Sequence, residues 1–311
     1  MQAVVLMLNA LSDAHRAMIA AHCELIYAPG AERTSAIAEH GARIEAVLTI
    51  GTIGLTAEEM AAMPRLSLVC ALGVGYERID VAAARARGIA LAHGANTNAD
   101  SVADQAMALL LACMRQLPYN DRAARTGVRR ESLPMLPQLT GKKLGLVGLG
   151  AIGSAIAKRV SGFDMQVGYH ARSRREGLAH RFFDTPLALA EWCDVLVLAA
   201  PGGPDTRHMV DAEVLAALGP RGYLVNISRG SLVDTEALAA ALRSGGIAGA
   251  GLDVYESEPE PPQPLLDLQQ NLVITPHVAG QSPESVQAMV DRFIANLNGH
   301  FSGQGVLTPI P

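Results

Sequence analysis

The sequence predicts an α/β protein with two doubly wound parallel-sheet domains. Short apolar runs alternate with stretches of helical periodicity along nearly the whole chain, the rhythm of a parallel sheet with helices on both faces. Half of the residues are hydrophobic but only 4% are aromatic, which favours packed α/β layers over an all-β sandwich. A length of 311 residues suits about two domains, each with its own core.

The first series of elements lies before residue 98. Its apolar runs predict strands at Val4–Leu8, Glu24–Tyr27, Ala46–Ile50, Leu66–Leu72 and Ile89–Ala92. Helical spacing between them predicts helices at Asp13–Ala21, Ala31–Glu39, Thr56–Met63 and Val81–Arg87. Strands that are separated by helices pair in parallel, so this series predicts one doubly wound sheet.

A second series begins at Lys143. Its predicted strands are Leu144–Val147, Gln166–Tyr169, Val195–Ala199, Tyr223–Ile227, Gly249–Val254 and Leu272–Ile274. It is preceded by an apolar helix over 101–115, which we expect to be buried between layers, and by a polar, Pro- and Arg-rich segment over 118–140, which we expect to be irregular. Ser282 and Pro283 predict the N-cap and first turn of a helix that runs to about Leu297.

Charge and cysteine usage narrow the class of function. A formal net charge of −5 provides no basic surface for nucleic acid, so a small-molecule partner is expected. The four cysteines contain no CxxC pair, which predicts buried thiols rather than disulfides or a metal site. The N-terminus resembles a first strand and no signal peptide, and no apolar run reaches the ~20 residues of a membrane span. We therefore expect a cytoplasmic enzyme.

A glycine-rich loop follows the first strand of the second series. The strand Leu144–Val147 leads directly into Gly148-Leu149-Gly150-Ala151-Ile152-Gly153, and a helical pattern follows. In this context the first glycine allows a tight turn, the second allows a pyrophosphate to approach, and the third allows the helix to pack on the strand. The helix N-terminus, at Ala151 and Ile152, then offers N–H groups to the phosphates. The loop predicts a dinucleotide site.

The next strand indicates which dinucleotide. A carboxylate near its end would bind the ribose hydroxyls of NAD, but Ala171 stands there and Arg172-Ser173-Arg174 follows. A guanidinium pairs with the 2′-phosphate of NADP, whereas an acid would repel it. A solvated basic loop would have the same composition. We interpret the segment as favouring NADP(H), with NAD(H) as a weaker substitute.

Three residues near later strand ends suit hydride chemistry at a keto acid. Arg229, in Ser228-Arg229-Gly230, can bind a carboxylate and polarise a carbonyl. His277, after Thr275-Pro276, carries an imidazole, which can protonate an alkoxide. Glu258 can orient the imidazole through its other nitrogen. Each segment alone would suit an ordinary turn, but their shared sheet edge predicts one catalytic set.

These motifs, in this order, resemble the D-isomer-specific 2-hydroxyacid dehydrogenases along nearly the whole chain. The resemblance implies Arg229, Glu258 and His277 as the catalytic set, and amides of Val74 and Gly75 as the substrate-carboxylate site. It also implies a Rossmann NADP-binding domain at 99–280, inserted into a flavodoxin-like substrate domain formed by 1–98 and 281–311, with a cleft between the two. Homodimers are usual in the family. Further cofactor contacts are implied for Pro201, Thr206, Ile227, Asp253, His277 and Gly280.

Within the family, the VAD segment at 102–104 and the Arg-Ser-Arg loop make the chain most similar to the NADPH-dependent glyoxylate/hydroxypyruvate reductase and hydroxyphenylpyruvate reductase branch. This similarity implies reduction of small 2-keto acids to 2-hydroxy acids. Two alternatives stay open. One is the same chemistry on another acid, such as hydroxyphenylpyruvate or phosphoglycerate. The other is a non-catalytic dinucleotide-sensing protein of the same fold, which keeps the same motifs and would be distinguished by a lack of turnover.

Overall fold

The computed structural model describes residues 2–310 of the chain. Within them the chain divides into two compact units. Unit 1 combines the residues up to Asn98 with those from Gln281 onward, and unit 2 runs from Ala99 to Gly280. Each unit is built on one parallel sheet.

The strands are short and mostly buried. Those of unit 1 are β1 (Val4–Met7), β2 (Glu24–Tyr27), β3 (Ala46–Thr49), β4 (Leu68–Ala71) and β5 (Ala90–His93). Those of unit 2 are β6 (Lys143–Val147), β7 (Gln166–His170), β8 (Arg181–Phe183), β9 (Val195–Leu198), β10 (Tyr223–Asn226), β11 (Gly249–Leu252) and β12 (Leu272–Ile274). Every residue of β1, β3, β4, β9, β10 and β11 is buried, as expected of strands that are covered on both faces.

The two sheets have different strand orders. Unit 1 has the order β2-β1-β3-β4-β5, which is that of flavodoxin-like folds. Unit 2 has the order β12-β11-β10-β9-β6-β7-β8, in which six strands follow the Rossmann order and β12 extends one edge. All strand pairs among the described residues are parallel. The predicted fold class is confirmed.

Helices connect the strands in both units. They are α1 (Asp13–Ala20), α2 (Glu32–His40), α3 (Ala57–Ala61), α4 (Val81–Ala86), α5 (Ala99–Met114), α6 (Leu117–Arg125), α7 (Ala151–Val160), α8 (Pro186–Trp192), α9 (Ala212–Leu218), α10 (Thr235–Ser244) and α11 (Pro283–Phe301). The start of α11 is as predicted, because the Ser282 hydroxyl accepts from the Ser285 N–H and Pro283 stands in the first turn. The helix continues one turn beyond the predicted end. No helix among the described residues has the length and apolar character that a membrane span requires.

The apolar helix α5 packs on the sheet of unit 2, and small residues in β11 make room for it. A Cβ atom on Gly251 would lie 2.9 Å from Cβ of Leu109, and one on Gly249 would lie 2.6 Å from Sγ of Cys113. Leu109 and Cys113 are themselves buried in the core of unit 2. The two strand glycines therefore allow helix and sheet to approach closely, and the predicted burial of this helix is confirmed.

One predicted element is wrong and one is missing from the prediction. Residues 118–140 are not irregular throughout, since α6 occupies Leu117–Arg125 and a 3₁₀ turn occupies Arg130–Ser132. Pro118 does not break α6, because it stands in the first turn, where its missing N–H has no intrahelical acceptor. The sequence does not predict β8, because a three-residue strand is too short for periodicity to reveal.

All four cysteines are buried and unpaired, as predicted. Burial raises the pKa of the Cys113 and Cys193 thiols to about 12. Burial also raises the pKa of Cys23, to about 11. Thiols in this state carry almost no thiolate at neutral pH, so they serve as core side chains rather than nucleophiles.

Candidate functional site

The glycine loop of unit 2 connects β6 to α7 at the carboxyl edge of the sheet. Gly148 has φ +94°, and a Cβ atom there would lie 2.7 Å from the Ala199 carbonyl oxygen. A Cβ atom on Gly153 would collide with the Gly148 carbonyl oxygen. The first and third glycines are therefore required by the turn and by the packing of helix on loop.

Gly150, the second glycine, has no such role in packing. Its φ is −75°, and a Cβ atom there would meet no neighbouring atom within 4 Å. Gly150 is the N-cap of α7, no side chain caps the helix, and its first turn carries no acid. The free N–H groups and the positive end of the helix dipole therefore face open space beside an exposed glycine. This arrangement fits a dinucleotide pyrophosphate.

The segment after β7 is basic and exposed. Arg172, Ser173 and Arg174 are exposed, and within residues 2–310 neither arginine forms an ion pair. The Arg175 N–H donates to the buried Tyr169 hydroxyl at 2.8 Å, which attaches the segment to the sheet. Ala171 stands where a ribose-binding acid would be expected. The segment can receive a phosphate and offers no carboxylate to repel it.

The loops after β9 and β10 contact each other. Ser228 donates a side-chain hydrogen bond to the Ala200 carbonyl, and the Thr206 hydroxyl donates to the Pro201 carbonyl at 3.0 Å. The side chain of Asn226, which is fully buried, accepts from the Ser228 N–H at 3.0 Å and donates to the Arg229 carbonyl at 2.9 Å. Asn226 therefore holds the turn that carries Arg229, a role that its motif does not reveal. The predicted cofactor contact Ile227 is 5% exposed.

Asp253, at the end of β11, organises the loop that carries His277. Its carboxylate is 1% exposed and accepts three hydrogen bonds, from the Thr275 hydroxyl at 2.6 Å, the Val278 N–H at 3.0 Å and the Ala279 N–H at 2.8 Å. The His277 N–H donates to the Asp253 carbonyl at 2.8 Å. Asp253 was expected to contact the cofactor, and the structure adds this bracing role.

His277 and Glu258 form a direct pair. Nδ1 of His277 lies 2.7 Å from Oε2 of Glu258, and Oε1 of Glu258 accepts from the Tyr255 N–H at 2.7 Å. The Tyr255 contact fixes the carboxylate, and the carboxylate fixes the imidazole ring. Because an ionised carboxylate only accepts, Nδ1 carries the hydrogen and Nε2 is the nitrogen that can exchange a proton with a ligand.

The backbone of His277 is in the left-handed region, with φ +54°. This conformation is unfavourable for a non-glycine residue, and such residues concentrate at functional sites.

Helix α5 helps to hold the loop that carries His277, because Ser101 donates to the Ala279 carbonyl at 2.6 Å and Gln105 donates to the Thr275 hydroxyl at 3.1 Å. Gly280 follows directly. Sequence reasoning does not reveal Ser101 and Gln105 as braces, because they lie about 170 residues away from their acceptors.

The predicted site residues of unit 2 thus lie at one sheet edge. The strand order places the ends of β7, β6, β9, β10, β11 and β12 side by side, and the predicted residues follow those strands. In a doubly wound sheet this is the ligand-binding edge. The described residues include no cluster of side chains suited to a metal ion.

The predicted carboxylate loop of unit 1 follows β4. Its two candidate N–H groups, those of Val74 and Gly75, donate to no acceptor within residues 2–310. A Cβ atom on Gly73 would meet no neighbouring atom within 4 Å, whereas one on Gly51 would lie 2.6 Å from the Gly75 carbonyl carbon. The missing side chain of Gly51 therefore allows Gly75 to approach it closely, whereas the space beside Gly73 is open. Two successive N–H groups that have no acceptor in the chain are able to bind an anion together.

Known proteins of one family are similar to this chain over most of its length. Residues 107–279 match the family model described as D-isomer specific 2-hydroxyacid dehydrogenase, NAD binding domain. The chain is 37% identical to glyoxylate/hydroxypyruvate reductase A HPR2 of Arabidopsis thaliana, over 90% of this chain and 89% of that protein. The chain belongs to the D-isomer-specific 2-hydroxyacid dehydrogenase family. It is an oxidoreductase of this family with a nicotinamide-dinucleotide-binding domain.

Two further relatives cover nearly the same length. The 2-ketogluconate reductase of Gluconobacter oxydans is 43% identical, over 86% of each chain. The NADPH-dependent glyoxylate/hydroxypyruvate reductase of Sinorhizobium meliloti, solved with NADP and malonate, superposes with a TM-score of 0.91 at 37% identity, covering 100% of this chain and 97% of that one. The family's members in this comparison act on small keto acids that differ in size.

Proposed function

We propose that this 2-hydroxyacid dehydrogenase reduces small 2-keto acids, glyoxylate and hydroxypyruvate, to 2-hydroxy acids with NADPH. The observation that carries the proposal is the His277–Glu258 pair, at 2.7 Å, on the sheet edge that also bears the glycine loop. A paired histidine beside a dinucleotide loop supplies the proton that reduction of a carbonyl requires.

In this proposal His277 is the general acid in reduction and the general base in the reverse reaction. Its Nε2 delivers the proton to the oxygen at C2, and Glu258 keeps the ring oriented through Nδ1. Arg229, on the turn held by Asn226, binds the substrate carboxylate and polarises the carbonyl through its planar guanidinium. These three residues are the proposed catalytic set.

The amides of Val74 and Gly75 are the proposed substrate-binding groups of unit 1. A carboxylate accepts readily from two adjacent N–H groups, and these two donors have no acceptor within the described chain. Glyoxylate offers little besides its carboxylate and aldehyde, so the binding of small keto acids depends strongly on this anchor.

The proposed cofactor is NADP(H), which supplies the hydride when bound. Gly148, Gly150 and Gly153, with the N–H groups of Ala151 and Ile152, would hold its pyrophosphate at the uncapped end of α7. Arg172, Ser173 and Arg174 would hold the 2′-phosphate, and Ala171 removes the acid that NAD requires. Pro201, Thr206, Ile227, Asp253, His277 and Gly280 are the further proposed contacts, and NAD(H) would bind more weakly.

A homodimer is the proposed assembly. Three large apolar side chains are exposed within one segment, Leu117 at 53%, Val128 at 43% and Met135 at 100%. A contiguous patch of exposed apolar side chains is typical of an oligomer interface, and these three side chains are the proposed contribution of this segment to one. The resemblance to a family that is usually dimeric points to a second copy of this chain as the partner.

A second candidate substrate is a longer 2-keto sugar acid. The observation that favours it is the 43% identity to a 2-ketogluconate reductase. The chemistry at C2 would be unchanged, because the carboxylate and the carbonyl are the same groups. Only the side chains that contact the rest of the substrate would decide between the two.

The test is a panel assay with the purified protein. NADPH and NADH oxidation are followed at 340 nm with glyoxylate, hydroxypyruvate, pyruvate, hydroxyphenylpyruvate and 2-ketogluconate. We expect the highest kcat/KM with NADPH and glyoxylate or hydroxypyruvate. Equal or higher kcat/KM with NADH would refute the cofactor assignment, and turnover of none of the five acids would refute the enzymatic proposal in favour of dinucleotide sensing.

A further inference from the structure

The loop after β4 that carries Val74 and Gly75, the proposed binding groups for the substrate carboxylate, is hydrogen-bonded to the end of β5. The Gly94 N–H donates to the Gly73 carbonyl at 2.8 Å. Nδ1 of His93 lies 3.0 Å from the Val74 carbonyl oxygen. Because a carbonyl only accepts, Nδ1 must carry the hydrogen. Two successive carbonyls of the loop are thus fixed by two successive residues of another strand end.

Fixing a carbonyl also fixes the next N–H. A trans peptide unit is planar, and its C=O and N–H point in opposite directions. The Val74 carbonyl and the Gly75 N–H belong to one such unit, and the only cis peptide among the described residues lies elsewhere, at Glu258-Pro259. The hydrogen bond from His93 therefore sets the direction of the Gly75 N–H, as the bond from Gly94 sets that of Val74.

His93 itself is held in place by the C-terminal segment. Its N–H donates to the Thr308 carbonyl at 3.1 Å, and its carbonyl accepts from the Thr308 hydroxyl at 2.5 Å. Asn296, which is 1% exposed, accepts from the N–H groups of Leu307 and Thr308 at 2.8 and 3.0 Å. The backbone N–H and carbonyl of His93 are therefore both hydrogen-bonded, which fixes the backbone from which the imidazole ring extends.

We propose that His93 is a positioning residue that aims the Gly75 N–H at the carboxylate of the substrate. This inference rests on the proposed function, since it assumes that Val74 and Gly75 bind that carboxylate. Glycine at position 75 has more backbone freedom than any other residue would have. Without the bond from His93, the peptide unit between Val74 and Gly75 can rotate, and the donor is lost from the site in part of the population.

The test compares His93→Asn with His93→Leu. Both side chains branch at Cγ, and both remove the ring and its edge contact with Tyr76, whose ring centroid lies 5.8 Å from that of His93. They differ in the donor. Asn keeps an N–H on an atom bonded to Cγ, where Nδ1 of histidine stands, whereas Leu has none.

We expect His93→Leu to raise the KM for glyoxylate and the inhibition constant of oxalate by roughly tenfold, the worth of one hydrogen bond to an anion site. Its kcat and its dissociation constant for NADPH should stay near those of the wild type. His93→Asn should restore both glyoxylate and oxalate constants. A merely structural role for the ring would affect Asn and Leu variants equally.

Equal increases of the glyoxylate KM and the oxalate inhibition constant in both variants would overturn the proposal, since the ring and not its donor would then matter. The proposal would also be overturned if both constants were unchanged in both variants, or if NADPH binding were lost in parallel. If His93→Leu does not fold, as judged by circular dichroism, His93→Ser takes its place, because its short hydroxyl cannot span the distance. If the wild type turns over no keto acid, the proposed function fails, and oxalate binding by calorimetry in the same three proteins still tests His93.

Discussion

His277 and Glu258 are joined by a hydrogen bond of 2.7 Å between Nδ1 and Oε2. The same carboxylate is fixed through its other oxygen by the Tyr255 N–H. A second histidine–glutamate pair lies in the same unit, with Nε2 of His208 2.8 Å from Oε1 of Glu256, and His208 also has a positive φ, +50°. The two pairs resemble each other locally but only the first involves the proposed catalytic set, so each can serve as the control for the other.

His277→Gln is expected to lower kcat by roughly 10²- to 10⁴-fold, the usual loss when a general acid is removed. The dissociation constant for NADPH, measured by fluorescence titration, should rise by at most a few-fold, because the other proposed cofactor contacts remain. His208→Gln is the matched control and should stay within a few-fold of the wild type. If the two variants lose kcat to the same extent, His277 is not the proton donor.

Gly150→Ala and Gly153→Ala should separate cofactor binding from folding. A Cβ atom at Gly150 meets open space, so the free energy of unfolding should change little while the dissociation constant for NADPH rises. A Cβ atom at Gly153 collides with the Gly148 carbonyl, which should cost about 1–3 kcal/mol of stability. Urea unfolding and NADPH titration measure the two effects. A Gly150→Ala variant that binds NADPH as the wild type does would contradict the assigned pyrophosphate site.

Asp253→Asn should destabilise the loop that carries His277. The amide keeps one oxygen but replaces the other with an NH2 group, so at least one of the three groups that now donate to the carboxylate, such as the Ala279 N–H, would face a donor. A buried donor left without an acceptor costs about 1–3 kcal/mol, and kcat should fall with the loss of His277 geometry. The exposed Asp205→Asn is the control for urea unfolding. Wild-type stability and kcat in Asp253→Asn would show that the loop is held by other contacts.

The stability of the wild type relative to Glu256→Gln should depend on pH. Burial raises the pKa of Glu256, but hydrogen bonds from His208 and Thr235 outweigh it, so the pKa lies below its ordinary value of 4.5. An acid with a lowered pKa in the folded state stabilises the protein fully above the unfolded pKa. This contribution is lost as the pH falls through the folded value.

Urea unfolding from pH 7 down to pH 3.5 measures this effect. At neutral pH the wild type should have a larger free energy of unfolding than Glu256→Gln. This difference in free energy should decrease only below about pH 4.5. Glu191→Gln, at an exposed position on α8, is the control and should show no such narrowing. If the difference in free energy of unfolding stays constant from pH 7 to pH 3.5, the ionised carboxylate of Glu256 is not the cause of that difference.

The local sequence pattern was sufficient to predict the order of the strands and helices and the position of the glycine loop. Apolar runs and helical spacing repeat within a few residues, so β1 to β5 and the start of α11 could be predicted to within one or two residues. The roles of Gly148 and Gly153 also follow from local geometry, since a strand, a tight turn and a helix are consecutive in the chain. Prediction failed for α6, which contains few large apolar residues, and for β8, which is only three residues long.

The sequence by itself determined which chemistry-bearing residues follow the strands, and the parallel order of those strands brings them to one edge. Tertiary structure alone decided how they are held. Asp253 braces the His277 loop, Asn226 braces the Arg229 turn, and His93 fixes the Val74 peptide from another strand end. The physical reason is that a hydrogen bond depends on distance and direction to within a fraction of an ångström, and the packing of distant segments sets both.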